Sequence, residues 1–108
     1  MNTFKRLLML ALLLASTQTW AGNPEKGKTK SFVCVSCHGN NGIGVGPLWP
    51  NLAGQKTSYL IKQMKDFRSG KRVDPMMAPL AKVLSDEDIA DLAAYYNQLG
   101  DEKIASDD

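Results

Sequence analysis

Both cysteines and the only histidine of this 108-residue chain fall within five consecutive residues, Cys34-Val35-Ser36-Cys37-His38. That clustering constrains the fold more than any other feature. With two cysteines in all, there is no disulfide framework to staple a loop-rich mini-protein. A structural zinc site needs four ligands, and no second Cys/His cluster supplies the missing ones. A redox dithiol of the thioredoxin kind calls for a βαβ setting, and no alternating strand pattern or internal repeat is readable. A plain disulfide across a two-residue gap would explain neither the adjacent histidine nor the glycine-rich stretch after it.

C-x-x-C-H is the attachment signature of c-type haem. Two cysteines three apart lie on one side of a helical turn, so their sulfurs can reach the two vinyl groups of one porphyrin and form thioethers. The histidine beside the second cysteine is then held over the iron. Methionine opposite histidine is a common arrangement in electron-transfer haem proteins. Met64 falls on the apolar stripe of a helix, where methionine is ordinarily core filler. Met76 and Met77 lie between Pro75 and Pro79 in what reads as a loop, a segment able to present a ligand.

Lys5 and Arg6 precede a continuous apolar stretch, Leu7 to Ala15, followed by polar Ser16 to Thr19 and small Ala21. This is the layout of a secretory signal peptide cleaved after Ala21, which leaves 22–108 as the working domain. The apolar run is well short of a membrane span of roughly 18 residues, so no span is expected after cleavage. The formal charge of +2 belongs to the whole chain, and residues 22–108 carry eleven basic and eleven acidic side chains. Neither that balance nor any basic run interleaved with aromatics suits nucleic acid. The charges are nonetheless segregated, with a balance of +7 over 22–82 and −7 over 83–108. Lys56, Lys62, Lys65, Arg68, Lys71 and Arg72 are therefore candidates for steering an acidic redox partner. A domain of this size is marginal on an apolar core alone, and a buried prosthetic group would add to it.

The pattern is helical. Asn23-Pro24-Glu25 reads as an N-cap, a first-turn proline and a first-turn acid, opening a helix expected to run to about Val35. Glycines and prolines from Gly39 to Pro50 mark a long loop. A second helix starts at Thr57 or Ser58, carries Leu60, Met64 and Phe67 on one face, and stops at Gly70. Ser85-Asp86-Glu87-Asp88 has capping-box spacing. Ile89, Leu92, Ala93, Tyr96 and Leu99 then line one face up to an expected stop at Gly100, with a frayed polar tail from Asp101. Leu48, Trp49, Leu52, Leu60, Met64, Tyr96 and Leu99 are candidate pocket walls.

Taken in order, Cys34 to His38, Pro47, Pro50-Asn51-Leu52-Ala53-Gly54-Gln55, Tyr59-Leu60, Lys62-Gln63, Phe67, Gly70, Met77, Leu84 to Ile89, Leu92-Ala93 and Tyr95-Tyr96 resemble a small bacterial class I cytochrome c. This monohaem type is also found as repeated domains in dihaem periplasmic cytochromes. The resemblance implies an all-α class I cytochrome c fold, three to five helices wrapped around one covalent haem c. It implies thioethers at Cys34 and Cys37, and axial iron ligands His38 and Met77, with Met76 the runner-up. It implies that the Pro47 carbonyl accepts a hydrogen bond from His38. The function it implies is periplasmic single-electron transfer by a monomer between redox proteins, without catalysis. Two alternatives stand beside it: an electron-transfer subunit of a larger oxidoreductase complex, and a haem enzyme or gas sensor with a displaceable sixth ligand.

Overall fold

The computed structural model describes residues 2–6 and 21–106, and residues 2–6 include one helical turn over 3–6. The expected apolar signal segment lies outside the described residues. No strand occurs among the described residues, and the chain is all-α.

Helix α1 is Pro24–Lys30. It starts where the sequence places it, because the Asn23 side chain accepts from the Glu25 and Lys26 amides at 3.0 and 3.1 Å and Pro24 occupies the position where no amide is needed. It ends before Val35, however. The chain tightens into a 3₁₀ turn at Ser31–Val33 and then forms the one-turn helix α2, Val35–His38. The C-x-x-C-H segment thus has its own turn rather than the end of a longer helix.

Helix α3, Thr57–Ser69, ends at Gly70, whose φ of 83° is left-handed, as a C-terminal glycine permits. The segment expected to be a loop between Pro75 and Pro79 instead contains helix α4, Met77–Lys82. Pro79 is its third residue and lacks the amide that would otherwise bond the Pro75 carbonyl.

Helix α5, Asp86–Ser106, is introduced by a reciprocal cap: the Ser85 amide donates to Asp88 Oδ2 at 2.9 Å, and the Asp88 amide donates to Ser85 Oγ at 3.0 Å. It passes through Gly100 rather than stopping there. A Cβ on Gly100 would collide with the Gly54 backbone, so this glycine serves a close approach between chain segments. Glu102, Lys103 and Ala105 beyond it are good helix formers, and the helix continues.

α1 packs on α5, α5 on α3, and α3 on α4. The core is small. Leu60, Leu92, Ala93 and Tyr96 form its buried centre, with Cys34, Leu52, Ile61, Leu84, Tyr95 and Leu99 partly buried around them. Phe67, Ala81 and Ile89 are buried as well.

Candidate haem-binding site

The local backbone places the pentapeptide. The Cys34 amide donates to the Ser31 carbonyl at 2.8 Å, closing the 3₁₀ turn, and the His38 amide donates to the Cys34 carbonyl at 2.9 Å, closing α2. Cys34 and Cys37 are therefore separated by about one turn, both as free thiols. Cys34 leans on the core, and its burial pushes the thiol above its ordinary range. The Tyr96 hydroxyl itself is buried without a hydrogen-bond partner. Burial raises that phenol strongly, and Cys34 beside it adds to the rise.

His38 is 6% exposed. Its Nδ1 lies 2.8 Å from the carbonyl oxygen of Pro50. A carbonyl only accepts, so Nδ1 carries the proton and Nε2 keeps the lone pair that a metal would take. This corrects the expectation for Pro47: the carbonyl that meets His38 is that of Pro50. The reason lies in how the loop closes. Gly46, with φ 76°, turns the chain ahead of Pro47. The Leu52 and Ala53 amides both donate to the Gly42 carbonyl at 2.7 and 3.0 Å, and Asn51 Oδ1 accepts from the Gly44 amide at 2.8 Å. Together these contacts draw the Pro50 end of the loop, not the Pro47 end, to the histidine.

Met76 and Met77 begin a different element, the one packed on α3. Met77 is half-buried and Met76 is 58% exposed. The Asp74 carboxylate accepts from both of their amides, at 2.8 Å from Met76 and 2.9 Å from Met77. Those two bonds hold the Asp74 carboxyl below its ordinary range, the Met77 bond contributing most. Sequence reading passed over Asp74, although Asp-Pro before a short apolar segment is a cap signal. Of the candidate walls, Leu60 and Tyr96 are buried, Leu52, Leu99, Trp49 and Met64 are half-buried, and Leu48 is 83% exposed.

The residues present fit a covalent haem. Two thiols one turn apart and a buried imidazole with its outer nitrogen available are donors that such a group takes, and Met77 offers a half-buried thioether on a separate element. A small core also leaves Leu48, Val73 and Val83 more than 80% exposed. A domain so short of buried apolar area gains by covering such side chains with an apolar group.

The family model for cytochrome c matches residues 24–100. The chain is 48% identical over 80 residues to cytochrome c-554(548) of Halomonas halodenitrificans, covering 71% of this chain and 96% of that one. It is 39% identical over 92 residues to a thiosulfate dehydrogenase electron acceptor of Stutzerimonas stutzeri, covering 79% of this chain and 43% of that one. Among solved structures, reduced recombinant cytochrome c4 from Pseudomonas stutzeri superposes with a TM-score of 0.68 at 38% identity, over 71% of this chain and 45% of that one. The chain spans about half the length of the curated cytochrome c4 relatives it matches. The chain belongs to the cytochrome c family, with the class I fold. Covalently bound haem c comes with that membership, and the Cys34–Cys37–His38 spacing accords with it.

Proposed function

We propose that this chain is an exported, periplasmic electron carrier whose working domain is 22–108, with residues 1–21 removed as a signal peptide. The observation that carries this reading is His38: buried, fixed in one tautomer by the Pro50 carbonyl, and flanked on its own turn by two free thiols. Cys34 and Cys37 would hold haem through thioethers, and His38 Nε2 and the Met77 thioether would ligate its iron. Bound in this way, haem supplies a one-electron couple.

The side chains do the remaining work. The Pro50 carbonyl keeps the imidazole oriented and makes it a better donor. With Met77 as the second protein ligand, no coordination position would be left for a substrate, and electrons would be the only traffic. Apolar surroundings and a neutral thioether disfavour the extra positive charge of the oxidised state, which sets the potential positive. The preserved ligand set keeps rearrangement small between the two oxidation states.

The partner is a redox protein with an acidic face. The packing refines which cations are available to it. Lys62 is paired with Asp66 at 2.6 Å and Arg68 with Asp86 at 2.6 Å. Arg72 donates to Gln63 at 2.7 Å and lies over the Phe67 ring. Lys56, Lys65 and Lys71 make no ion pair within 4 Å among the described residues and are the steering charges. The thiosulfate dehydrogenase electron acceptor among the relatives supports a second reading, in which the chain serves one larger dehydrogenase as its dedicated electron-accepting subunit.

Mass analysis of the 22–108 product tests the proposal. The peptide containing Cys34–His38 should carry one haem that survives acid–acetone extraction. Cys34→Ala with Cys37→Ala should release it entirely. A bare peptide from the wild-type protein would reject the assignment. Size exclusion of a native extract separates the readings, because a free carrier elutes at monomer size and a dedicated subunit elutes with its dehydrogenase.

A further inference from the structure

Two methionines adjacent in sequence pose a selection problem. Consecutive helical positions point about 100° apart, so only one of Met76 and Met77 can face a given point, and a one-residue slip of the turn would exchange them. We propose that Asp74 is the positioning residue that settles this choice: by capping the turn ahead of α4 it holds Met77 toward the iron and keeps Met76 outward. The proposal rests on the reading above that Met77 is the axial ligand.

The geometry is that of a complete N-cap. The Asp74 carbonyl accepts from the Ala78 amide at 3.0 Å, so helical bonding begins at Asp74 although α4 proper starts at Met77. Pro75 follows at the position that needs no amide, with φ preset for the helix. The next two amides belong to Met76 and Met77, and a single oxygen, Asp74 Oδ1, takes both. The turn therefore has its free amides satisfied in one register. α4 has six residues and no other side-chain cap, too short to persist without outside support. Slipping the turn by one residue would break both Asp74 bonds. The exposures agree with that register, since Met77 is half-buried while Met76 is 58% exposed. The role needs an acceptor oxygen rather than a charge, and asparagine caps about as well as aspartate.

Imidazole, which competes with a methionine ligand for ferric iron, reads this directly in the purified holoprotein at pH 7. Asp74→Ala should bind imidazole roughly fivefold more tightly than wild type, the scale of a lost cap, and its far-red methionine–iron band should weaken. Asp74→Asn should return both to near wild type. Ser85→Ala, which removes the cap of α5, should lower the unfolding midpoint and leave imidazole affinity unchanged. Wild-type imidazole affinity in Asp74→Ala beside a normal wild-type band would overturn the proposal alone. So would an equal gain in Ser85→Ala, or failure of asparagine to rescue. A wild-type protein without the methionine–iron band would overturn the ligand reading, and this proposal with it.

Discussion

Asp91 receives the Asn23 amide on Oδ1 at 2.7 Å and Lys30 Nζ on Oδ2 at 2.7 Å, with its side chain 4% exposed. Lys30 also reaches Asp88 Oδ1 at 2.8 Å. One lysine and two aspartates thus tie α1 to α5, and Lys26 adds a weaker favourable field. Burial alone would raise the Asp91 carboxyl, but the Asn23 amide and Lys30 outweigh it, and the net displacement is downward. Asp88 is lowered too, chiefly by Lys30. A carboxyl depressed in the folded state contributes stability above its unfolded value and loses it as pH falls through the folded value. Unfolding free energy should therefore be level from about pH 5 to 7 and fall below about pH 4. Asp91→Asn should flatten part of that fall and lower stability at neutral pH by about 1–2 kcal/mol, as read by urea titrations across pH. Lys30, raised by Asp88 and Asp91, works in the opposite direction, and its contribution is lost only as pH rises beyond the ordinary lysine range. At this scale the sequence was informative about chemistry and silent about partners. Cys34, Cys37 and His38 are conspicuous because those residue types occur nowhere else in the chain. Which proline meets His38 was not legible, because Pro47 and Pro50 both offer a carbonyl and only closure of the glycine loop distinguishes them.

Among the helices, the contact between α1 and α5 turns on one small residue. A Cβ on Gly27 would run into the Asp91 carbonyl oxygen and the Tyr95 side chain. Gly27→Ala should separate the two helices and cost about 3 kcal/mol, since backbone on one side leaves little room to yield. Thermal unfolding should then begin on the order of 10 °C lower. Ser85→Ala should cost about 1 kcal/mol by loss of the α5 cap. Starts of helices were legible because caps are local: Asn23 and Ser85 signal them within four residues, and Gly70 signals an end. The exceptions are instructive. Gly100 reads as a stop by local rules, yet its lack of a side chain answers to Gly54, 46 residues away in sequence. The loop expected at Met76-Met77 became the entry to α4 because Asp74 caps it through amides two and three residues along, a local signal that the reading of Pro75 and Pro79 as loop markers passed over.

The whole molecule separates its charge, with +7 over 22–82 and −7 over 83–108, and the packing neutralises part of the basic half through Lys30, Lys62 and Arg68. Electron transfer to an acidic redox protein should slow as ionic strength rises, because exposed charges are screened within about 10 Å at 0.1 M salt. Lys65→Glu and Lys71→Glu should each slow the low-salt association several-fold in stopped-flow mixing and have little effect in high salt. Lys62→Glu should differ from these, since it also loses the Asp66 pair. The fold class was legible from helical periodicity and from one pentapeptide, and family comparison agrees with it. Which methionine would ligate the iron was less so, because Met76 and Met77 belong to an element distant from α2 in sequence. The far-red absorption of the ferric holoprotein tests it most directly. The wild-type protein and Met76→Ala should both show the methionine–iron charge-transfer band at neutral pH, and Met77→Ala should lack it. Persistence of the band in Met77→Ala, or its absence from the wild type, would contradict the account.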